Sequence, residues 1–219
     1  MKKRPRSEAE TRKRIEAAKY CCGPFDPSYG GTRDVRLIAR WAYEREHGAR
    51  HYHPITEVPP GEGRTCAVVG NARSILDRLD GEVIDSHDVI VRINTPTIQS
   101  AGCQGHLLHY LFVTAVSMSE LNINWPIPYG LINISEPARE FVERWSEVAR
   151  GDTGDISARP TTGFVAIMYM HERGYNVNIF GFDWFKTPSL SAIGATPWQH
   201  HYPEWERVTV GKTLGIGDL

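Results

Sequence analysis

Short apolar segments alternate with helix-like segments from residue 66 onward, and this alternation limits the possible fold more than any other feature. Helices are predicted from Pro137 to about Arg150 and from Thr161 to Arg173. Buried strands that alternate with helices favour a parallel sheet covered by helices on both faces. The predicted strands are CAVVGN from Cys66, Val89–Asn94, Leu107–Val113, Gly130–Ser135 and Val177–Phe182.

The N-terminal region, residues 1–60, lacks this alternation and is predicted to be a basic and helical region outside the domain formed by residues 61–219. Helices are predicted over Glu8–Lys19 and Val35–Glu46, followed by a linker over Pro54–Gly63. Residues 1–19 carry eight Lys or Arg against three Glu. We expect a solvated basic arm, with weak peripheral contact to anionic membranes as the alternative.

Composition excludes several classes of protein. A net charge of −1 disfavours a nucleic-acid-binding protein. The sequence has no apolar run of about 18 residues, which predicts no transmembrane helix, and no apolar segment typical of a secretory signal. The four cysteines form no C-x-x-C pair. A reducing, cytoplasmic location is therefore predicted.

Three places suit a ligand, because parallel sheets bind ligands beyond the carboxyl ends of their strands. They are the turn after Val69, the end of the second strand at Asn94 and the segment after Phe182. Gly70 permits close backbone approach after the first strand, and the amide of Asn71 both donates and accepts. Ser74 lies nearby, and Asn94 ends the second strand. The segment matches neither a dinucleotide fingerprint nor a Walker loop. An ordinary tight strand-to-helix turn at residues 70–74 is the alternative.

Arg92 lies within the second predicted strand, where a buried charge requires a partner. Alternation places it on the same face as Ile90 and Asn94. Asp85 or Asp88, just before the strand, is the expected partner, so we interpret Arg92 as structural.

A predicted helix begins with two threonines and a glycine, Thr161, Thr162 and Gly163. Unpaired N–H groups, the positive end of the helix dipole and two hydroxyls would suit a phosphate group. Simple N-capping by Thr161 is the alternative.

His200 and His201 are the candidate general bases, with Glu204 and Glu206 as carboxylates nearby. Histidine titrates near neutral pH, and a carboxylate can orient its ring. A zinc site is disfavoured, since no third ligand lies at the usual spacing from the two histidines. No D-x-D pair is present to hold a divalent metal, so neither a metal nor a cofactor is predicted. A surface loop with solvated histidines is the alternative.

Three segments in chain order resemble the motifs of the sialyltransferases, glycosyltransferase family 29. Cys66–Asn94 (CAVVGN…IDSHDVIVRIN) resembles the large sialyl motif, and Pro160–Phe182 resembles the small motif. His201, followed after four residues by Glu206, resembles the very short motif. The resemblance covers about residues 64–207. It implies a Rossmann-like, GT-A-variant fold and an inverting, metal-independent transferase.

The resemblance also implies roles for the candidate residues. Asn71 and Asn94 would contact the CMP moiety of a CMP-sugar donor, and Thr161–Gly163 would hold its ribose and phosphate. His201 would remove the proton of the acceptor hydroxyl, supported by Glu206 or Glu204. The acceptor would be a glycan or glycolipid.

The chain departs from the family pattern at several positions. The family's disulfide between the large and small motifs would join Cys66 to a position occupied by Gly174, so this bridge is not expected. Ala72 replaces the usual serine, with Ser74 nearby. Only 13 residues follow Glu206, so the family's closing helix is expected to be reduced or absent. A compact microbial or viral-type homologue is the expectation.

Several alternatives remain open at the level of the sequence. One is a non-catalytic module that binds CMP or another nucleotide on the same fold. Another is a transferase for a different CMP-activated sugar, such as CMP-Kdo. A third is a metal-dependent hydrolase or transferase that uses the histidines. The choice between His200 and His201 as the base is also open.

Overall fold

The computed structural model describes residues 55, 57–113, 130–134, 138–190 and 200–217. The two helices predicted before residue 50, and the basic arm, lie outside the described residues. Within the described part of the chain, no helix is long and apolar enough to cross a membrane.

The described strands are β1 Thr65–Val69, β2 Val89–Ile93, β3 Tyr110–Val113, β4 Gly130–Asn133 and β5 Asn176–Phe180. They form one parallel sheet, ordered β4-β3-β2-β1-β5. This confirms the predicted α/β class and all five predicted strands. The largest difference in a strand start is at β3, which begins three residues later than predicted because the N–H groups of His106 and Leu107 are bound by Asp85.

The helices are a 3-10 helix Arg73–Asp77, α1 Gly81–Asp85, α2 Ala101–Gln104, α3 Arg139–Thr153, α4 Thr162–Glu172 and α5 Pro203–Leu214. The predicted helix at Thr161 is confirmed as α4, with Thr161 as its N-cap, and Gly174 follows its end at φ 82°. Four described elements were not predicted: the 3-10 helix, α1, α2 and α5.

The predicted alternation in β2 separates two apolar cores. Val89, Val91 and Ile93 join the larger core, on the face covered by α4. Ile90 joins the smaller core with Ile84 of α1 and residues of the 3-10 helix. Helices on both faces are therefore confirmed. Helix α4 is buried almost all round, as its continuous apolar sequence requires.

Arg92 is 2% exposed, and protein atoms hold its guanidinium. Its Nε donates to the Leu107 carbonyl at 2.9 Å and its Nη2 to the Gln104 carbonyl at 2.8 Å. Burial lowers the pKa of Arg92 to about 10, and the charge of Asp85 raises it. Of the two predicted partners, Asp85 therefore acts on Arg92 through its charge, whereas the Asp88 carboxylate accepts from the N–H and hydroxyl of Thr65.

The last part of the predicted linker packs against the domain. Val58 is fully buried, and the Gly61 N–H donates to the Arg173 carbonyl at the end of α4 at 2.6 Å. The Gly63 N–H donates to the Gly174 carbonyl at 2.9 Å. These backbone bonds tie residues 58–63 to the core, so the linker prediction is wrong for this part.

Candidate active site

The order of strands reverses at β1, which pairs with β2 on one side and β5 on the other. In open α/β sheets, ligands bind at such a switch point, beyond the carboxyl ends of the strands. Gly70 follows β1 and Gly181 follows β5. A Cβ on Gly70 would lie 2.4 Å from the Gly181 carbonyl oxygen, so only glycine lets these turns meet.

A cavity of about 150 Å³ opens at this switch point. It brings together five of the seven residues predicted to bind the donor. Gly70 and Ser74 do not line it: Gly70 packs against Gly181, and the Ser74 hydroxyl donates to Asp183. The five predicted residues that line the cavity are Asn71, Asn94, Thr161, Thr162 and Gly163.

Asn71 and Asn94 connect the ends of neighbouring strands. The Asn71 Nδ2 donates to the Ile93 carbonyl at 3.1 Å, which leaves the amide oxygen of Asn71 outside this bond. Asn94 has a left-handed backbone, φ 52°, and its N–H donates to the Phe112 carbonyl at 2.7 Å. Asparagine tolerates this conformation better than most residues, so the sheet ends with both amides beside the cavity.

The N-terminus of α4 forms another side of the cavity. The Thr161 Oγ1 accepts the Phe164 N–H at 3.1 Å, which confirms the predicted N-cap. Thr162 and Gly163 lie in the first turn, whose N–H groups have no carbonyl partner within the helix. Both residues line the cavity, so the positive end of α4 faces the space available to a ligand.

Glu206 is 1% exposed and binds the N-cap of α4 from the first turn of α5. Its Oε1 accepts the Thr161 N–H at 2.6 Å, and its Oε2 lies 2.8 Å from the Thr161 hydroxyl. Burial raises the pKa of Glu206 to about 8, although the bonds from Thr161 lower it. The carboxyl is therefore mostly protonated at neutral pH and adds little negative charge beside α4.

His201 precedes α5 and is held by a backbone carbonyl. Its Nδ1 lies 2.8 Å from the Arg159 carbonyl oxygen. A carbonyl only accepts, so Nδ1 carries the proton and Nε2 keeps its lone pair. Burial lowers the pKa of His201, the bond to Arg159 raises it, and neighbouring His200 lowers it. The net direction favours the neutral imidazole, which is the form that accepts a proton.

The Arg159 backbone also binds His200: its N–H donates to the His200 carbonyl at 3.0 Å. The rings of His200 and His201 meet edge to face, with centroids 4.9 Å apart. Together with the bond between Thr161 and Glu206, these contacts fasten residues 159–161 to residues 200–206. The start of α4 and the candidate base are therefore positioned by the same pair of segments.

The expected support of His201 by Glu206 or Glu204 needs correction. Glu206 binds Thr161, and Glu204 accepts from Arg207 at 2.6 Å. The difference follows from α5, which turns Glu206 into the core and Glu204 toward solvent. In the described part of the chain, His201 is instead oriented by the carbonyl of Arg159.

Helix α5 contains Glu206, and the expectation of a reduced or absent closing helix stays a prediction. Helix α5 spans twelve residues, Pro203–Leu214, and ends before Gly215 at φ 65°. Proline at the first position, acidic residues in the first turn and a glycine beyond the last turn are the usual helix boundary signals. These signals were present in the sequence and would have predicted α5.

The segment after Phe182, which the sequence predicted as a third place for a ligand, is an aromatic loop after β5. Phe182, Trp184 and Phe185 all line the cavity, and Trp184 and Phe185 have left-handed backbones at φ 57° and 66°. The sequence prediction named no residue of this segment, GFDWF, as a site residue. Among the described residues, no group of three or more His, Cys, Asp or Glu could hold a metal ion.

Comparisons with known proteins identify the class. Residues 15–104 match the family model described as glycosyltransferase family 29 (sialyltransferase). A comparison with curated proteins gives no significant match. This match, with the motif-like segments in chain order, identifies the protein as a glycosyltransferase. The match covers fewer than half of the 219 residues, and over this segment the chain is similar to glycosyltransferase family 29.

Two solved structures are also similar to this chain. A crystal structure of a mammalian sialyltransferase shares 17% identity at a TM-score of 0.47, covering 98% of this chain and 78% of that chain. A mammalian sialyltransferase in complex with Gal-beta-1-3GalNAc-ortho-nitrophenol shares 19% identity at a TM-score of 0.44, with the same coverage. Because both TM-scores are below 0.5, the likeness to family 29 rests on the family model over residues 15–104.

The family match crosses residue 60, where the sequence predicted a boundary between residues 1–60 and 61–219. It extends from the N-terminal region to the end of α2. The division at residue 60 stays a prediction.

Proposed function

We propose that this glycosyltransferase transfers sialic acid or a related ulosonic acid from a CMP-sugar donor to a glycan or glycolipid hydroxyl, with inversion and without a metal ion. The observation that carries the proposal is the shared cavity of Asn71, Asn94 and the first turn of α4. It offers amides for a nucleoside beside a helix N-terminus that suits a single phosphate. A base, His201, is positioned by the same segments.

In the proposed reaction, the acceptor oxygen attacks the anomeric carbon of the donor sugar as the bond from that carbon to the phosphate oxygen breaks. The proton of the hydroxyl passes to Nε2 of His201. A single displacement of this kind inverts the anomeric centre. The oriented imidazole is within the class of bases that contribute about 10²- to 10⁴-fold to a rate.

The leaving CMP gains negative charge on its phosphate. The N–H groups of Thr162 and Gly163 would stabilise this charge, since preorganised donors act most strongly in an enclosed site. Protonated Glu206 supports the same role, because a neutral carboxyl does not repel the phosphate. These groups would stabilise the negative charge that a divalent metal stabilises in other transferases.

The cytoplasmic location and weak membrane contact through the basic arm stay predictions.

Ligand-induced stabilisation tests the donor. CMP and CMP-sugars are expected to raise the melting temperature, because a ligand that binds only the folded state stabilises it by mass action. UDP-sugars and GDP-sugars are expected to have no effect at the same concentration. Equal stabilisation by UDP-sugars would contradict the proposed donor.

Chelation tests the metal-free mechanism. Transfer from CMP-sialic acid, followed by CMP release, is expected to be unchanged by excess EDTA. The control adds zinc or manganese after chelation, which is expected to change nothing. Loss of transfer with EDTA and its recovery with either ion would overturn this part of the proposal.

A further inference from the structure

Asp183 lies at the centre of a cluster that the proposed reaction does not use. One carboxylate oxygen, Oδ2, accepts the Ser74 hydroxyl at 3.0 Å and the Thr187 N–H at 2.9 Å. It also accepts the Thr187 hydroxyl, which in turn accepts the Ser74 N–H at 3.2 Å. We call Ser74, Asp183 and Thr187 the clamp. It joins the segment after β1 to the loop after β5.

Backbone bonds extend this connection. The Ala72 N–H donates to the Gly181 carbonyl at 3.1 Å, and the Leu190 N–H donates to the Asn71 carbonyl at 2.7 Å. The clamp therefore sits within a longer contact between residues 70–74 and 181–190. Asn71, which lines the cavity, belongs to the same contact.

The loop held by the clamp has an unfavourable conformation. Trp184 and Phe185 are consecutive left-handed residues, which side chains of this size rarely adopt. The other Asp183 oxygen, Oδ1, is buried and accepts no hydrogen bond from the described residues. Such features persist only where the surroundings enforce them, and they cluster at ligand-binding sites. The bonds to Oδ2 are among the described contacts that hold this loop in place.

The loop forms an aromatic wall of the cavity, composed of Phe182, Trp184 and Phe185. A Cβ on Gly163 would lie 2.6 Å from the Phe182 ring, so the wall directly adjoins the first turn of α4. Phe185 is 42% exposed, which leaves apolar ring surface uncovered in the free protein. A donor whose phosphate lies at α4 would cover this surface.

We propose that Asp183, held by Ser74 and Thr187, is a positioning residue for donor binding that keeps the aromatic wall in the shape that encloses the CMP-sugar. This inference rests on the proposed function and assigns Ser74 a role through Asp183. Loss of a clamp bond lets the loop leave its binding conformation. The apparent donor affinity then falls by the fraction of molecules that remain competent.

Steady-state kinetics with CMP-sialic acid test the clamp. Ser74→Ala is expected to raise the donor KM roughly 10- to 150-fold, which corresponds to the loss of a hydrogen bond to a charged group. The kcat at saturating donor is expected to stay within about twofold, since His201 is untouched. Ser74→Thr, which keeps the hydroxyl, is expected to restore the donor KM.

Ser86→Ala is the matched control, because the Ser86 hydroxyl donates to the Val83 carbonyl at the opposite end of the sheet. It is expected to leave the donor KM unchanged. Phe185→Ala tests the wall itself and is expected to raise the donor KM in the same way. An unchanged donor KM in Ser74→Ala, or a fall in kcat alone, overturns the inference.

Amide hydrogen exchange of the free protein separates this inference from the proposed function. Ser74→Ala is expected to speed exchange in residues 182–190, including the Thr187 N–H, and to leave α4 and β1 as in wild type. If exchange in this loop is unchanged, the clamp does not hold it and the inference fails. If the loop responds but CMP does not bind wild type, the proposed donor fails and the clamp's role in donor binding fails with it.

Discussion

The domain has two clusters of buried polar groups, and their hydrogen bonds end on different kinds of partner. Around Arg92, on the face with the shorter helices, both described guanidinium bonds end on main-chain carbonyls. Around Glu206, at the carboxyl edge of the sheet, the buried carboxyl instead binds the helix cap Thr161. In the first cluster, the described hydrogen bonds of the guanidinium are all made to protein atoms. The second leaves the first turn of α4 facing a cavity.

The difference separates a structural use of buried polar groups from a functional one. His109 repeats the structural pattern: it is 3% exposed, burial lowers its pKa to about 4, and its Nδ1 accepts the Ile90 N–H. His201 carries its proton on Nδ1 and keeps Nε2 available. We therefore expect changes in the Arg92 cluster to act on folding and changes at the cavity to act on binding or turnover.

The largest effect is expected for His201→Ala, which removes the proposed base. Turnover at saturating donor should fall by about two to four powers of ten, while CMP affinity changes little. Because the pKa of His201 is lowered in the free protein, the acid limb of the wild-type kcat/KM profile should lie below the ordinary histidine value of 6.5. Rates from pH 4.5 to 8 measure both effects.

His200→Ala is the matched control and should retain most turnover. If only His200→Ala is inactive, the base is His200. If both variants turn over like wild type, neither residue is the base, and the proposed mechanism is wrong.

Arg92→Met tests the structural cluster. It keeps much of the side-chain volume but leaves two buried carbonyls unpaired, which should lower the free energy of unfolding by at least about 2 kcal/mol. CMP affinity of the folded variant should match wild type. Urea unfolding and CMP titration measure the two quantities.

The control for this change is Arg78→Met. Arg78 is exposed and pairs with Asp80 at 3.0 Å, and an exposed pair of this kind contributes little stability. Equal losses in Arg92→Met and Arg78→Met would contradict the contrast between the clusters.

Glu206→Gln tests the raised pKa at the cavity. In the wild type, Glu206 ionises near 4.5 when unfolded and at about 8 when folded. The unfolded state therefore binds fewer protons between these values, and this residue's contribution to stability falls as pH rises through that range. Glutamine does not titrate, so the stability of Glu206→Gln relative to wild type should increase from pH 4.5 to 8.

Thermal unfolding of both proteins across this range measures the difference. A constant difference would show that Glu206 has an ordinary pKa. Thr161→Val removes the hydroxyl next to Glu206 and serves as a comparison variant, since the stabilisation of charged Glu206 by that hydroxyl is then lost and its pKa should rise further.

The smallest effect is expected for Asn94→Gly. Glycine accepts the left-handed backbone of Asn94 but lacks the amide, so CMP should bind about 2- to 10-fold more weakly with stability nearly kept. Asn94→Ala should bind CMP equally weakly and also lose about 1 kcal/mol of stability, because alanine is strained at this φ. Calorimetric titration and urea unfolding measure the pair. Wild-type affinity in Asn94→Gly would remove this residue from the donor site.

The sheet was predictable because its signal is local. The apolar runs at β1, β2 and β5 are long enough to indicate buried strands, and Thr161 and Gly174 mark the ends of α4. The short elements on the second face were missed, since α1 and α2 have five and four residues and no full apolar period. Helix α5 was missed although its boundary signals were present.

The site was predictable in part for the same reason. Asn71, Asn94 and Thr161 end strands or begin a helix, and strand topology alone brings such positions to one edge of a sheet. The roles of Ser74 and Glu206 were not predictable, because their partners lie 109 and 45 residues away in the chain. Those contacts depend on how the loops and α5 close over the edge.

The sequence by itself determined the parallel sheet, the amide and hydroxyl groups at its carboxyl edge, and the resemblance to glycosyltransferase family 29. Periodicity and capping are properties of neighbouring residues, so the chain encodes them directly. Only the tertiary structure decided that Arg159 rather than a glutamate orients His201, that burial raises the pKa of Glu206, and that Asp183 binds Ser74 and Thr187. Each of these depends on burial or on contacts between distant segments, which arise when the chain packs.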